Sequence, residues 1–409
     1  MPNVRRRLDR GFVVRVVAVA VSPMGRLPRM SDVFEPRADP PGPEGALTNR
    51  WSRVLPIVAL SVAVIVVGAI LANAGSTLGA DAKAYLGAAR RFMEGRPLYD
   101  LSYTATGPPE LFGYPPPFAF VALPFALLPA PFDVLAWTAT LVAAFAAGVA
   151  LLPVRRDVRW VIVLLAGLSW PFAYALKLGQ VEPILFLVFA AGWRWRDRPG
   201  RLGGAIAVGT IVKLQPAILL GWAVLTGRRR TVAVAGAVLL ALAVGVSLLV
   251  GLPTWVDWVT LLRQISAPVT AAHSFTPGAT VFQAGAGEGV ATAVQLVSTV
   301  SALALVVWAA LRLGSEASYL TAVVASQLVS PILWDHYAML LLLPTAWLLE
   351  RGRRWAVAIP LATSIFMIWA PPGVYPLSFW AAMLATLAVG WLERDGPSRA
   401  SGPVADTAT

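Results

Sequence analysis

Twelve apolar runs dominate this sequence, and they decide the solvent in which the chain can fold. A bilayer's hydrocarbon core is about 30 Å thick, which about 20 apolar residues of α-helix cross. Because backbone groups in lipid have no water to bond, each crossing segment must satisfy its own hydrogen bonds, as a helix does. The runs are 54–74, 132–152, 160–176, 181–195, 202–213, 216–226, 231–251, 290–311, 319–333, 337–349, 355–370 and 377–392.

Composition agrees with the pattern. The chain is 57% hydrophobic and 13% charged, whereas soluble domains carry about 25% charged residues. Cysteine is absent, which excludes disulfides, thiol nucleophiles and Cys-based zinc sites. We therefore predict an all-α polytopic membrane protein with about 12 transmembrane helices, with the bilayer as its partner.

The predicted domains follow from where the runs begin and end. We expect a cytoplasmic, disordered tail over 1–53, a transmembrane catalytic domain over 54–392, and a second cytoplasmic, disordered tail over 393–409. A signal peptide is the alternative at the N-terminus, but the apolar stretch 11–21 is interrupted by Arg15 and no small-residue cleavage pattern follows. The Pro-punctuated segment 115–129 is short for a span and is interpreted as a partial or re-entrant helix.

Charge predicts the orientation. The net charge of +12 lies in short clusters between the runs, which favours positive-inside loops over nucleic-acid binding. The clusters 155–159, 194–201, 228–230, 351–354 and Arg312 are placed in the cytoplasm. The opposite face then holds both histidines, all three lysines and the isolated carboxylates, so we expect an extracytoplasmic active face. Arginine makes up 30 of the 33 basic residues, which is typical of a GC-rich bacterium and favours a bacterial plasma membrane.

The loop after the first run contains an amphipathic pattern. It opens at Asp81, places Tyr85, Leu86 and Phe92 on an apolar side, and ends at Gly95. This spacing predicts a short helix lying along the membrane surface. Asp81 has two interpretations at this point: a helix N-cap, or a functional carboxylate.

A set of short motifs occurs in order along residues 54–392. The motifs are Asp81-x-x-x-Tyr85, Ala88-Ala89, Gly95, Pro97-Leu98-Tyr99-Asp100, Tyr114-Pro115-Pro116-Pro117, Leu178-Gly179-Gln180-Val181-Glu182, Lys213-Leu214-Gln215-Pro216 and Ser330-Pro331-Ile332-Leu333-Trp334-Asp335-His336-Tyr337. Together they resemble glycosyltransferase family 87 of the GT-C superfamily. One difference is Glu182, at a position after the Gly-Gln pair where that family pattern has Asn.

The resemblance implies a GT-C-like bundle and an inverting sugar transfer. The donor would be a polyprenyl-phosphate sugar, most often mannose and in related members arabinofuranose. The acceptor would be a lipid-linked molecule or a glycan on the extracytoplasmic face. In such enzymes a carboxylate of the first outer loop is the general base, and Asp81 is the residue here that matches.

The remaining candidates are assigned to substrate binding. Lys213 lies in an apolar stretch, so its ammonium needs a partner or an aqueous cavity, unless it snorkels to the interface. His336 and Asp335 would contact the leaving phosphate or an acceptor hydroxyl, or else form only an interfacial pair. Gln180 and Glu182 would bind sugar hydroxyls, although a polar turn between helices explains them as well. Tyr85 and Tyr114 complete the set.

No Gly-rich phosphate loop or metal-ligand cluster stands out in the sequence, so we expect no cofactor and no metal. Two other functions remain open. In a transporter or flippase of a lipid-linked envelope precursor, Lys213 and Glu182 would be substrate or ion sites. In a scaffold of an envelope complex, Asp81 and Lys213 would not share a cavity.

Overall fold

The computed structural model describes residues 51–102, 111–265, 269–271, 273–363 and 373–394. The predicted tails fall almost wholly outside these ranges, although the first described helix already begins at Trp51 and the last one ends at Arg394. The described part contains 17 α-helices and no strand, which confirms the all-α class. They are α1 (Trp51–Ala74), α2 (Ala80–Met93), α3 (Pro116–Ala126), α4 (Phe132–Leu151), α5 (Arg156–Gly167), α6 (Trp170–Leu178), α7 (Glu182–Arg194), α8 (Pro199–Val212), α9 (Ile218–Leu225), α10 (Arg229–Val250), α11 (Pro253–Ile265), α12 (Pro277–Gln283), α13 (Glu288–Arg312), α14 (Ser315–Leu328), α15 (Leu342–Glu350), α16 (Ala358–Leu361) and α17 (Val374–Arg394).

Within the described ranges, five helical segments are long and apolar enough to cross a membrane, and a sixth is added if the bent pair α6 and α7 counts as one span. The protein is therefore a multi-pass membrane protein, while the count of twelve spans stays a prediction. The five are Arg53–Thr77, Phe132–Leu151, Arg229–Val250, Glu288–Arg312 and Val374–Arg394.

Several predicted runs form shorter helices than a span. The run 160–176 is divided between α5 and α6, because Ser169 caps α6 by accepting a hydrogen bond from Phe172 N. Pro171, in the first turn, has no N–H to bond to the preceding helix. At 1.5 Å per residue the 13 residues of α7 reach only about 20 Å.

Four 3-10 helices join these elements, at Gly75–Thr77, Gln215–Ala217, Asp335–Leu341 and Arg354–Val357. The predicted run 337–349 therefore begins as the 3-10 helix Asp335–Leu341 and continues as α15. The Pro-punctuated segment forms α3, an 11-residue helix too short to span.

The amphipathic loop helix is present as α2. Its apolar side is buried, with Tyr85 and Leu86 each 1% exposed. Tyr85 packs edge-on against Phe118 of α3 and Trp137 of α4, with ring centroids 5.1 and 5.5 Å away. The helix is thus fixed to the bundle by its aromatic side.

Ion pairs connect the loops that carry the arginine clusters. Glu316, at the start of α14, binds Arg196 through one carboxylate oxygen and Arg351 through the other, at 3.0 and 2.8 Å. Arg351 also binds Glu393 of α17 at 2.8 Å. Three loops predicted to be cytoplasmic therefore meet at one carboxylate, at their own end of the helices.

Candidate active site

Polar side chains from three parts of the chain meet beside Asp81, in the N-terminal turn of α2. The turn between α6 and α7 supplies Gln180 and Glu182, the end of α8 supplies Lys213, and the 3-10 helix Asp335–Leu341 supplies His336. Helix packing brings these side chains together. Helix α6 contacts both α2 and the 3-10 helix Asp335–Leu341, and this 3-10 helix also contacts α7.

Gln180 connects Asp81 to two tyrosines. Its Nε2 donates to Asp81 Oδ2 at 2.5 Å, and its Oε1 lies 3.1 Å from the Tyr85 hydroxyl and 3.0 Å from the Tyr114 hydroxyl. The two hydroxyls are 2.8 Å apart. A carboxylate only accepts hydrogen bonds, so the amide nitrogen must face Asp81 and the amide oxygen must face the tyrosines. The pair of tyrosines therefore orients Gln180, and Gln180 orients the Asp81 carboxylate.

Asp81 does not cap α2. The N-cap residue is Gly79, with φ of 67°, and no side chain caps this terminus. Burial raises the pKa of Asp81 above its ordinary value, while the hydrogen bond from Gln180 and the charges of His336 and Lys213 act to lower the pKa. Asp81 nevertheless stays partly exposed. A partly exposed, oriented carboxylate is suited to accept a proton.

Lys213 is buried rather than snorkelling. Its side chain is 10% exposed and its Nζ forms an ion pair with Glu182, which is fully buried. The ammonium also lies 4.0 Å from the centroid of the Tyr337 ring. Of the two sequence interpretations of Lys213, the structure shows the one in which the ammonium faces a partner.

His336 lies between two carboxylates. Its Nε2 is 3.7 Å from Glu182 Oε1 and its Nδ1 is 3.4 Å from Asp335 Oδ1. Within the described residues, neither ring nitrogen has a hydrogen-bond partner, and the same is true of Glu182 Oε2. Buried polar atoms are normally paired. Three unpaired atoms within one cluster therefore indicate a place for a polar ligand or water.

Aromatic side chains around His336 were not predicted as part of the site. Trp170 donates its indole N–H to Asp335 Oδ2 at 3.0 Å and stacks on Tyr174. Tyr174 and Trp334 each lie 6.3 Å from the His336 ring, centroid to centroid. Trp334 and Tyr337 flank His336 in the sequence motif, but nothing local to Trp170 or Tyr174 distinguishes them from the chain's other aromatics.

All eight predicted site residues belong to this cluster, through direct contacts or through charges that act on Asp81. The sequence also offers Arg263 and His273, in the outer loop after Trp255 and Trp258, as weaker candidates for binding phosphate or sugar. Both are exposed, and within the described residues neither forms a hydrogen bond or an ion pair with the cluster. The scaffold alternative required Asp81 and Lys213 to lie apart. Asp81 instead bonds to Gln180 and Lys213 bonds to Glu182, only two residues further along the chain.

Comparison with known proteins places this chain in a family. The model of glycosyltransferase family 87 matches residues 112–333, more than half of the chain. A relative from Mycobacterium tuberculosis, the polyprenol-phosphate-mannose-dependent alpha-(1-2)-phosphatidylinositol mannoside mannosyltransferase, is 26% identical over 355 residues, covering 76% of this chain and 82% of its own length. No solved structure matches the chain. The chain therefore belongs to glycosyltransferase family 87 and is a membrane glycosyltransferase.

Proposed function

We propose that this protein transfers mannose from a polyprenyl-phosphate-mannose donor to a lipid-linked or glycan acceptor. Transfer takes place on the extracytoplasmic face of the bacterial plasma membrane, with inversion and with Asp81 as the general base. The name of the mycobacterial relative, which specifies a polyprenol-phosphate-mannose donor and a phosphatidylinositol mannoside acceptor, supports the donor and the class of acceptor.

One observation carries the catalytic assignment. Asp81 is a partly exposed carboxylate whose Oδ2 is held by Gln180, beside a buried cluster with three unpaired polar atoms. The acceptor hydroxyl is a poor nucleophile at neutral pH and gains reactivity as its proton passes to a carboxylate. The hydroxyl oxygen then bonds to the anomeric carbon while the bond from that carbon to the phosphate oxygen breaks, and the phosphate keeps the electron pair.

The leaving phosphate gives Lys213 and His336 a role in this proposal. A polyprenyl-phosphate sugar carries one negative charge on its phosphodiester, and the released polyprenyl phosphate is a monoester that develops a second. Preorganised N–H donors aimed at this growing charge lower the barrier. Lys213 has three N–H donors, and its bond to Glu182 uses one of them. His336 is the second donor in this assignment.

The donor and the acceptor are tested together in membranes from cells that express the protein or Asp81→Asn. Each membrane receives labelled polyprenyl-phosphate-mannose or polyprenyl-phosphate-arabinofuranose with envelope glycolipids. We expect only the mannose label to move to a glycolipid, and only with the wild type. Transfer of arabinose alone would overturn the donor, and movement of intact labelled lipid across proteoliposomes without transfer would favour the flippase.

A further inference from the structure

A pocket lined by charged side chains lies on the side of α2 that faces away from Asp81. Successive helix residues are about 100° apart, so Lys83, Gly87 and Arg90 share one face, at spacings of four and three. Asp81 and Tyr85 lie on another face, directed to Gln180. The pocket has a volume of about 370 Å³ and is also lined by Ser76, Pro131 and Asp133.

The charges of this pocket favour an anion. Lys83 Nζ donates to the backbone oxygen of Ser76 at 2.9 Å, and Arg90 Nη2 donates to Asp133 Oδ2 at 2.5 Å. Two cations and one carboxylate make a formal charge of +1. The Asp133 side chain is 4% exposed, whereas that of Arg90 is 40% exposed. The bond to Asp133 engages one of the three guanidinium nitrogens, so the exposed Arg90 side chain keeps further N–H donors.

The pocket lies where two of the membrane-spanning candidates end. It is bounded by the residues that follow α1 and by the first residues of α4. The last turn of α1 exposes Leu71, and the first turn of α4 exposes Phe132 and Leu135. Apolar side chains exposed on a membrane-spanning helix face lipid tails. A small cationic pocket at the end of such surfaces is therefore at the level of lipid headgroups.

We propose that this pocket binds the headgroup phosphate of an anionic glycerophospholipid, with the acyl chains lying along the apolar ends of α1 and α4. Basic pockets between membrane helices bind anionic headgroups in this way, and the volume suits a headgroup. The site is separate from the proposed reaction, since none of its residues is assigned to the sugar transfer.

The test is native mass spectrometry of the full, delipidated protein in neutral detergent, titrated with phosphatidylglycerol, with diacylglycerol or with inorganic phosphate. Gly87 lines the pocket, so the side chain of Gly87→Leu occupies its volume. The substitution causes no clash at its Cβ, because a Cβ at this position meets no atom within 4 Å. Leucine also favours a helix more than glycine does. Lys83→Gln removes one cation. Gly236→Leu is the matched control, because Gly236 lies on the distant helix α10 and has the same open surroundings.

We expect the wild type and Gly236→Leu to bind one phosphatidylglycerol with equal affinity. Gly87→Leu and Lys83→Gln should each weaken that binding about fivefold or more, the effect of about one basic contact. All four proteins should show the same melting temperature to within a few degrees. Equal binding by all four would overturn the site. If diacylglycerol binds with the same affinity, the protein contacts only the acyl chains, and the headgroup proposal is wrong. If inorganic phosphate binds as tightly as the lipid, the ligand of the pocket is a free anion and not a lipid.

Discussion

Asparagine at position 81 separates the hydrogen-bonding role of Asp81 from the role of a general base. Its amide oxygen still accepts the hydrogen bond from Gln180 Nε2, and the N-terminus of α2 has no side-chain cap to lose. Asparagine cannot take a proton from a hydroxyl. We expect Asp81→Asn to fold and express as the wild type does, but to lose sugar transfer by about 100-fold or more, the usual contribution of a general base.

Asp100→Asn is the control for this prediction. Asp100 is an exposed carboxylate of the same loop, and it bonds to Ser102 rather than to the cluster. It should keep full activity. If Asp81→Asn keeps substantial activity while folding normally, the base is another group.

The pH dependence of transfer reports on the same carboxylate. A general base acts when it is deprotonated, so kcat/KM should be constant above the pKa of Asp81 and fall as the pH drops through that pKa. Burial raises this pKa above 3.8, and the Gln180 hydrogen bond lowers it. Gln180→Leu removes the lowering contribution, so the acidic limb of the profile should move to higher pH. An unmoved limb would show that Gln180 does not act on the base.

The ion pair of Lys213 and Glu182 requires a paired substitution. Lys213→Met alone leaves a buried carboxylate without its partner, which costs about 3–5 kcal/mol of stability. Adding Glu182→Gln removes the orphaned charge and should restore most of the melting temperature. Turnover should stay low in the double variant, because the cation that stabilises the leaving phosphate is missing. Wild-type turnover in that variant would make Lys213 a structural counterion of Glu182.

At the scale of elements, the turn between α6 and α7 is held against α2 by a glycine. Gly179 has φ of +75°, and a Cβ there would lie 2.7 Å from Ala82 Cβ. Trp137 Nε1 donates to the Gly179 carbonyl at 2.7 Å, and Gly79 N donates to the Lys177 carbonyl at 2.8 Å. The turn and α2 are thus in direct backbone contact, which sets the separation of Gln180 and Asp81.

Gly179→Ala should therefore reduce transfer by about tenfold or more, since a displacement of about 1 Å near reacting groups is costly. Gly352→Ala is matched to it: its φ is +74°, but a Cβ there meets nothing within 4 Å. Both changes should lower stability by about 1–2 kcal/mol through left-handed strain. Comparable activity loss in the two variants would contradict a specific role for the contact of Gly179 with α2.

For the whole molecule, the orientation can be tested on a chain without cysteine. Ser102 and Ala284 are exposed on the face predicted to be extracytoplasmic, and Gly200 and Arg353 are exposed on the opposite face. A single cysteine at either of the first two should react with a membrane-impermeant maleimide in intact cells. A cysteine at either of the last two should react only after lysis. The reverse pattern would place the site in the cytoplasm and exclude the polyprenyl-phosphate donor.

The class of the molecule was determined by the sequence alone. Long apolar runs admit only a helical membrane protein, because lipid offers no partner for unsatisfied backbone groups. The helix α2 and the short helix α3 were also predictable, since amphipathic spacing and proline act locally. The match over residues 112–333 confirms the family resemblance. The site residues taken from that resemblance stay predictions, and four of the eight, Asp81, Tyr85, Asp335 and His336, lie outside the matched range.

Tertiary packing decided what those residues touch. From local sequence, Asp81 could be either a helix cap or a functional carboxylate. The turn between α6 and α7 packs against α2, where Gln180 binds the Asp81 carboxylate, and this carboxylate does not cap α2. Lys213 and Glu182 are 31 residues apart, and Trp170 and Asp335 are 165 apart. Contacts at such separations depend on how helices pack, and hydrophobic periodicity shows which side of a helix is buried but not which side chain it meets.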